Sequence, residues 1–283
     1  MLELGLFMIV SGGCVGQAIA CTNQKGGVGK TTTVVNLATY LALLGDRVLV
    51  IDLDPQGNAT SGFGINRADL DGSIYDALVD GRPIAELHVA TGIDGLRLVP
   101  SSISLAGAEI ELASQDGRER RLGRALRDAR ETWDWILIDC PPSLGLLTVN
   151  ALTGADAVLV PIQCEYYALE GLTQLIATIN LVRDHLNPGL EISGVVLTMF
   201  DSRTNLSSEV ANEVRRHLRG AVFDTVVPRS VRLSEAPSHG LPIALYRPES
   251  KGAEAYASLA AELRSRRDAG RHDHVPYATG AVA

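Results

Sequence analysis

Residues 25–32 form a glycine-rich octapeptide with two lysines, Lys25-Gly26-Gly27-Val28-Gly29-Lys30-Thr31-Thr32. A short apolar run, 18–21, precedes it, and apolar residues at helical spacing follow over 31–44 and stop at Gly45. A glycine-rich turn between a strand and a helix lets backbone N–H groups surround phosphate oxygens beside the positive end of the helix. The closing lysine brings a compact cation to the outer phosphates. The stretch therefore predicts a nucleotide-binding phosphate loop.

Lysine is rare in this chain, which makes Lys25 informative. Three of the 25 basic residues are lysines, and two of these three flank the glycines of the loop. The common loop pattern is G-x-x-x-x-G-K-[ST], but Gln24 stands here at the position of its first glycine. The pattern K-G-G-x-G-K-T-T is a deviant form with an added lysine. We interpret Lys25 as a residue that the site requires; the alternative is a solvent-facing lysine without a special role.

Composition bounds the domain organisation and the cellular setting. With 283 residues, of which 46% are apolar, the chain can bury the core of one large domain. We expect this domain over 17–269, after an N-terminal extension, 1–16, and before a disordered tail, 270–283. The four cysteines have neither C-x-x-C spacing nor the density of a disulfide framework. No apolar run is long enough to span a bilayer, so we predict a cytoplasmic protein without a membrane partner.

Charge is unevenly distributed along the chain. The net charge is −8, with 13 basic and 23 acidic residues over 1–200 but 12 and 10 over 201–283. We therefore expect any contact with a polyanion in the C-terminal third, where arginines can form a local basic patch. A solvated surface of mixed charge explains the composition equally well.

Short apolar strands alternate with helical patterns along the chain. This alternation predicts an α/β fold with a doubly wound, mostly parallel sheet and helices on both faces. We expect strands at 18–21, 47–53, 95–100, 133–139, 156–161, 192–199 and 221–227. We expect helices at 31–44, 118–130, 168–186, 205–219 and 251–268, and a loop at 56–64.

Aspartates end two of the predicted strands. Asp52 and Asp54 close the strand after the first helix, and Asp139 closes the strand 133–139. Ligands of open α/β sheets bind beyond the carboxyl ends of the strands, where carboxylates beside a phosphate loop hold Mg²⁺ and orient water. Each aspartate alone is also explained as a strand-end cap. The three together, beside the loop, predict a magnesium–nucleotide site.

Five stretches spread over 17–265 resemble the chromosomal ParA/Soj partitioning ATPases, which carry the deviant loop of the ParA/MinD family. They are NQKGGVGKTTT (23–33), VIDLDPQGNATSG (50–62), IDCPPSLG (138–145), ALEGL (168–172) and VRLSEAP (231–237). The resemblance implies a Mg²⁺-dependent ATPase that forms a homodimer with ATP and binds double-stranded DNA of the nucleoid without sequence preference. It also implies a ParB/Spo0J-like partner and a role in partitioning a chromosome or plasmid.

The same resemblance implies a role for each residue of the site. Lys30 binds the β- and γ-phosphates, Thr31 gives its hydroxyl to Mg²⁺, and Asp54 positions or activates the attacking water. Asp52 lies near the metal, and Asp139 holds the metal through water. The remaining implied contacts are Gly26, Gly27, Val28, Gly29 and Thr32 with the phosphates, and Pro228 and Ser230 with the adenine base, where the family often has asparagine in place of Ser230.

Four basic residues are expected to act between molecules. Lys25, at the start of the loop, is badly placed for its own nucleotide but can reach a partner's phosphates across a two-fold axis, as an arginine finger does. Arg203 and Arg232 match DNA-binding motifs of the family, and Lys251 is a further candidate for DNA binding. For these last three residues, a structural salt bridge is the alternative interpretation.

Three other functions fit parts of the sequence. A MinD-like, membrane-associated regulator of division shares the deviant loop, but 271–280 lacks the pattern of a basic amphipathic helix. A reductase of the nitrogenase-iron-protein type would need a second cysteine before Cys140, and none stands between Cys21 and Cys140. A binding module without hydrolysis is disfavoured because the implied catalytic residues are all present.

Overall fold

Eight strands form one sheet in the computed structural model, which describes residues 15–165, 168–218 and 220–270. The strands are β1 (Gln17–Cys21), β2 (Val48–Asp52), β3 (Val89–Ala90), β4 (Leu96–Val99), β5 (Trp135–Asp139), β6 (Ala157–Gln163), β7 (Glu191–Phe200) and β8 (Val222–Pro228). Their order across the sheet is β3-β4-β2-β5-β1-β6-β7-β8. Within the described sheet, neighbouring strands are parallel except β3 and β4. The predicted mostly parallel α/β fold is confirmed.

Helices cover both faces of the sheet. They are α1 (Lys30–Leu43), α2 (Asn58–Gly62), α3 (Ile74–Val79), α4 (Ile84–Leu87), α5 (Leu105–Leu112), α6 (Arg121–Ala125), α7 (Ala129–Thr132), α8 (Leu146–Gly154), α9 (Ala168–His185), α10 (Asn205–His217), α11 (Val231–Glu235), α12 (Ile243–Tyr246) and α13 (Lys251–Asp268). Short 3₁₀ turns lie at Arg67–Asp69, Arg118–Arg120 and Ala236–His239. Among the described residues, no helix combines the length and the apolar content that crossing a membrane requires.

Strand residues alternate between two buried cores, because successive side chains of a strand point to opposite faces. In β1, Ala18 and Ala20 join the core that includes residues of α3, α5, α8 and α9, whereas Ile19 and Cys21 join the core that includes residues of α1 and α13. Helices on both faces explain why the central strands are apolar throughout. The parallel strands end on one side of the sheet, and we call this side, formed by the last residues of β1, β2 and β4–β8, the carboxyl edge.

Glycines mark both ends of α1. Gly29, with φ of 92°, immediately precedes the helix, and Gly45, with φ of 93°, follows its last turn. Both angles lie in the left-handed region that glycine adopts without strain. One side of the helix is fully buried through Val34 and Leu37. The predicted helix 31–44 and its glycine stop are confirmed within one residue.

The prediction of a single helix over 118–130 is wrong. The segment forms the 3₁₀ turn Arg118–Arg120, then α6 and α7, with a break between these two helices. Asn150 of α8 explains the first bend, because its side chain accepts the Leu122 N–H at 3.1 Å and donates to the Arg118 carbonyl at 2.8 Å. These backbone groups therefore bond to a side chain from elsewhere in the fold instead of to their own helix.

Other differences from the expected elements are local. The predicted loop 56–64 contains α2, which begins after Gly57, a residue with φ of 68°. The helices α3, α4, α5, α8, α11 and α12 were not predicted, since each is too short for a clear periodic pattern. The predicted extension 1–16 and tail 270–283 lie, apart from their inner ends, outside the described residues.

Candidate active site

Neighbouring strands hold the phosphate loop in shape. Gly27 and Gly29 have φ of 75° and 92°, where a side chain would be strained. The Thr198 hydroxyl of β7 donates to the Val28 carbonyl at 2.8 Å. The Asn23 side chain donates to a carbonyl of β6 at 2.7 Å. The loop is therefore shaped by the surrounding fold, since these bonds need no nucleotide.

The amino end of α1 suits an anion. Within the described residues no side chain caps this end, and its first turn has no acidic residue. Its N–H groups and the positive end of its dipole are therefore not neutralised. Lys30 is 7% exposed, and its Nζ donates to the Lys25 carbonyl at 3.1 Å. This bond folds the ammonium back over the loop, where it would meet the outer phosphates.

A cavity of about 600 Å³ opens beside the loop at the carboxyl edge, within the size range of small-molecule sites. Its walls include Gly26, Gly27, Gly29, Lys30, Thr31 and Thr32 of the loop and α1, Asp54, Gln56 and Asn58 after β2, and Met199, Pro237, Ser238 and Leu241. Met199 has φ of 49° and is, in the described part of the chain, the only non-glycine residue with positive φ. Such backbone strain is concentrated at ligand sites.

Strand pairing brings the three predicted aspartates together at the carboxyl edge, and Asp54 lines the cavity. Asp52 at the end of β2 and Asp139 at the end of β5 are register partners, and Asp139 is also the partner of Cys21 at the end of β1. The Leu53 N–H donates to the Asp139 carbonyl at 2.9 Å, and Asp54 follows directly. The sequence-based grouping of the aspartates beside the loop therefore agrees with the fold.

Asp52 is fully buried, and its carboxylate is already engaged. Its Oδ2 accepts the N–H and the hydroxyl of Thr60 at 2.7 and 2.6 Å, and its Oδ1 accepts the Asp54 N–H at 3.3 Å. Burial raises the pKa of Asp52 to about 6, and the Thr60 hydrogen bonds oppose the rise. Asp52 thus braces the turn between β2 and α2, while its contact with a metal stays a prediction.

Asp54 lines the cavity and keeps one carboxylate oxygen available. Its Oδ1 accepts the Gln56 N–H at 2.9 Å, and its Oδ2 has no hydrogen-bond partner among the described residues. Ser101, which lies after β4, donates its hydroxyl to the Asp54 carbonyl at 2.7 Å and its N–H to the Thr60 hydroxyl at 3.1 Å. A carboxylate on a fixed backbone with a free oxygen suits a residue that orients water.

Asp139 has the least satisfied side chain of the site. Both of its carboxylate oxygens are buried without a hydrogen-bond partner among the described residues. Burial, followed by the charge of Asp52, raises the pKa of Asp139 well above its usual value. The Thr31 hydroxyl lies close enough to oppose this rise, although it does not reach ordinary hydrogen-bond geometry. A buried carboxylate without a hydrogen-bond partner is stabilised when it binds water or a cation.

Hydrated Mg²⁺ fits these side chains, because it prefers oxygen ligands, keeps several waters and binds together with substrate phosphates. Thr31 lines the cavity, and its hydroxyl lies near the Asp139 carboxylate. Nowhere in the described ranges do three His, Cys, Asp or Glu side chains form a group that could hold a metal alone. The remaining ligands would therefore be phosphate oxygens and water.

Lys25 contacts Glu165 and is absent from the lining of this cavity. Its Nζ contacts Oε2 of Glu165 at 3.0 Å, and the two side chains are 40% and 43% exposed. Lys25 does not line the cavity beside its own loop. This placement agrees with a role at a partner's phosphates, which stays a prediction.

Comparison with known proteins assigns the family. A family model described as an AAA domain matches residues 16–192. The sporulation initiation inhibitor protein Soj of Bacillus subtilis is 58% identical over 249 residues, which cover 88% of this chain and 98% of that protein. The chromosome-partitioning ATPase Soj of Treponema pallidum is 47% identical over 252 residues, covering 89% and 98%. This chain belongs to the Soj/ParA family of chromosome-partitioning ATPases.

The chain is also similar to a solved structure that contains bound ligands. Cobyrinic acid a,c-diamide synthase from Mycobacterium smegmatis, with a bound ATP analogue and magnesium, has a TM-score of 0.80 and 39% identity. The match covers 91% of this chain and 98% of that chain. The predicted family, ATPase class and fold are confirmed, and the predicted cofactors, ATP and Mg²⁺, correspond to the ligands of that structure.

The two predicted base contacts, Pro228 and Ser230, do not line the cavity. The cavity is instead lined by Pro237, Ser238 and Leu241, which follow α11 in the chain. Sequence reasoning missed these three residues, although Pro237 ends the VRLSEAP stretch that carries the Soj/ParA resemblance. The base contacts of Pro228 and Ser230 stay predictions.

Of the two arginines that the sequence predicts to bind DNA, Arg203 lies in the loop after β7 and Arg232 lies in α11. Arg203 donates twice to Asp201, at 2.9 and 2.7 Å, and Arg232 contacts Glu235 at 2.7 Å. The hydrogen bonds from Arg203 lower the pKa of Asp201 to about 2. Each arginine is therefore in the ion pair that formed the alternative interpretation. The Arg203 side chain nevertheless remains 85% exposed.

Two further cations lie near these arginines. Lys251 is exposed at the start of α13, and the following Gly252 packs closely against Leu233 of α11. Arg229, which sequence reasoning missed, is 57% exposed and lies 3.6 Å from Glu165. Its N–H donates to a carbonyl at the end of β7 at 3.0 Å. We call these four residues, Arg203, Arg229, Arg232 and Lys251, the cationic surface, although the three arginines each lie beside a carboxylate.

Proposed function

We propose that this protein binds ATP and Mg²⁺, dimerises around ATP, binds nucleoid DNA without sequence preference, and partitions a chromosome with a ParB/Spo0J-like partner. The observation that carries the proposal is the position of Lys25, which lies on the phosphate loop but outside its cavity, with a side chain that is 40% exposed. The partitioning relatives also support it, because the similarity to Soj, at 58% identity, exceeds the 39% identity to the M. smegmatis synthase.

The chain would bind the triphosphate with groups that are already in place. N–H groups of the loop and of the first turn of α1 surround the phosphates, and Lys30 reaches the β- and γ-phosphates from its position over the loop. Because the surrounding strands hold the loop, little reorganisation is needed as charge develops during phosphoryl transfer.

Thr31 and Asp139 would hold Mg²⁺, Thr31 through its hydroxyl and Asp139 through bound water. The ion supplies charge neutralisation on the β- and γ-phosphates when it is bound. Asp54 would orient the attacking water with its free Oδ2 and accept its proton, while Ser101 and Gln56 keep the Asp54 backbone and its other oxygen in position.

Lys25 would complete the site in trans. Two protomers that face each other across a two-fold axis would each place this amine at the other's triphosphate, so that dimerisation depends on ATP. Each dimer then carries two copies of the cationic surface around Arg203 and Arg232, and DNA affinity rises through simultaneous contacts. Hydrolysis separates the protomers. Because DNA affinity depends on the dimer, the separated protomers release DNA.

Lys25→Gln tests the dimer. We expect this variant to bind a fluorescent ATP analogue yet remain monomeric with ATP in light scattering, whereas the wild type dimerises with ATP and not with ADP. Lys251→Gln removes the other exposed lysine and is the matched control, expected to dimerise normally without DNA. Dimers of Lys25→Gln at wild-type strength would contradict the proposal.

ATPase assays with DNA and a partner test the cycle. Hydrolysis is measured with non-specific duplex DNA and with a ParB/Spo0J-like protein, separately and together, and the combination is expected to give the highest rate. A rate that neither addition changes would contradict the partitioning role. Co-sedimentation with anionic vesicles in place of DNA would support the MinD-like alternative.

A further inference from the structure

One carboxylate bridges two loops of the carboxyl edge. Oε2 of Glu165 contacts Nζ of Lys25 at 3.0 Å, and Oε1 lies 3.6 Å from a guanidinium nitrogen of Arg229. The side-chain amide of Gln163, the last residue of β6, donates to the same Oε1. Glu165 thus connects the phosphate loop after β1 with the loop after β8.

The sheet places this carboxylate beside the loop. β6 is the neighbour of β1, and the residues that follow it turn tightly: the Glu165 N–H donates to the Gln163 carbonyl at 2.8 Å, and the Cys164 N–H donates to the Thr198 carbonyl at 3.2 Å. The backbone of Glu165 is therefore tied to β6 and β7. The long, flexible side chain of Lys25 is the part of the pair that can move.

We propose that Glu165 is a positioning residue that holds Lys25 against its own protomer until the ATP-bound dimer takes the amine. This inference rests on the proposed role of Lys25 at a partner's phosphates. The partner's triphosphate carries more negative charge than one carboxylate, so it attracts the amine away from Glu165. ADP lacks the γ-phosphate and competes less well. The contact therefore weakens dimerisation with either nucleotide and keeps the ADP-bound protein monomeric.

The contact is weak enough to be reversible. Both side chains are about 40% exposed, and an ion pair in such a setting shifts an equilibrium by a factor of about two to five. Because a two-fold dimer releases two such contacts, neutralising Glu165 lowers the ATP concentration for half-maximal dimerisation by about fivefold. Arg229 stays beside Glu165 after the lysine leaves.

The scarcity of lysine allows a direct measurement on the nucleotide-free monomer. Lys30 is buried and Lys251 is exposed far along the chain, so Lys251 serves as an internal reference for Lys25. A short pulse of an amine-reactive ester is followed by mass spectrometry of the peptides. Glu165→Gln is expected to raise the modification rate of Lys25 relative to Lys251 by about two- to fivefold, because the amine is no longer held.

Two variants show that the effect belongs to the charge at this position. Glu165→Asp keeps the charge on a shorter side chain and is expected to restore part of the protection of Lys25. Glu213→Gln removes a carboxylate from another exposed ion pair, that with Arg216, and is expected to leave the labelling ratio unchanged. Unchanged labelling of Lys25 in Glu165→Gln overturns the inference.

Dimerisation is the second readout. Glu165→Gln is expected to dimerise at about fivefold lower ATP concentration than the wild type in light scattering, with more dimer in ADP. An unchanged or higher ATP requirement overturns the positioning role even if labelling rises. Dimerisation of Lys25→Gln with ATP would overturn the proposed function instead, and the labelling ratio in the monomer would be unaffected by that result.

Discussion

At the centre of the carboxyl edge, Asp52 and Asp139 are fully buried, whereas Arg203 in the loop after β7 and Arg232 in α11 are exposed. Burial raises the pKa values of both carboxylates, and in the described part of the chain the Asp139 oxygens have no hydrogen-bond partner. A bound cation would therefore offset the cost of burying this carboxylate. The exposed arginines are paired with adjacent acids and carry no such cost. A magnesium–nucleotide site can therefore be recognised from unsatisfied groups in one chain, but a DNA-binding surface cannot.

The largest effect is expected at the aspartate that has a free oxygen in the cavity. Asp54→Asn keeps the size of the side chain but cannot accept a proton, so hydrolysis is expected to fall by about 10²- to 10⁴-fold. ATP binding is expected to persist because Lys30 and the loop are unchanged. Single-turnover hydrolysis and binding of a fluorescent ATP analogue measure the two effects separately.

Asp52→Asn is the matched control for this prediction. Its amide oxygen can still accept the hydrogen bonds of Thr60, and Asp52 does not line the cavity. Hydrolysis is expected to stay within about tenfold of the wild type, well short of the loss of a general base. An equal loss in both variants would place Asp52 in direct contact with the metal or the water.

The burial of Asp52 predicts a pH dependence of stability. Its pKa is about 6 in the folded chain against an ordinary value of 3.8, so the folded state binds this proton more tightly than the unfolded state. Its contribution to stability is present below about pH 4 and is lost as the pH rises to about 6, at a cost of up to about 3 kcal/mol. Urea unfolding of nucleotide-free wild type and Asp52→Asn from pH 4 to 7 measures it, and the free-energy difference between them should grow with pH. Parallel curves would contradict the raised pKa.

The parts of the fold that sequence predicted are those whose pattern lies within one segment. The strands are apolar because both faces of the sheet are covered, and α1 and α13 are long enough to show helical spacing. The segment 118–130 was misjudged because the Asn150 side chain, contributed by α8, takes its backbone hydrogen bonds. A helical pattern contains no information about such a competitor.

In the candidate site, too, sequence predicted only the features whose pattern lies within one segment. Lys30, Thr31 and Asp54 stand in motifs next to a strand end, so their arrival at one cavity follows from parallel topology. The contact between Lys25 and Glu165 joins residues 140 positions apart with no motif between them. The sequence analysis likewise included Thr60 only as part of a matched stretch. Its hydrogen bonds to Asp52 depend on the position of α2, which was not predicted.

The smallest expected change in affinity concerns DNA. To bind a DNA phosphate, Arg203 must leave its ion pair with Asp201. One exposed ion pair replaces another, so the net gain in binding free energy is small. For Arg203→Ala with Arg232→Ala, we expect affinity of the ATP-bound protein for non-specific duplex to fall about tenfold. Counterions are still released wherever the protein neutralises a phosphate, and the slope of log affinity against log salt should flatten by about 0.9 for each phosphate that the variant no longer neutralises. The slope is therefore the more sensitive measure.

Arg97→Ala, which removes an exposed arginine on β4, is the control. A double variant with the wild-type slope would leave both arginines as structural ion pairs.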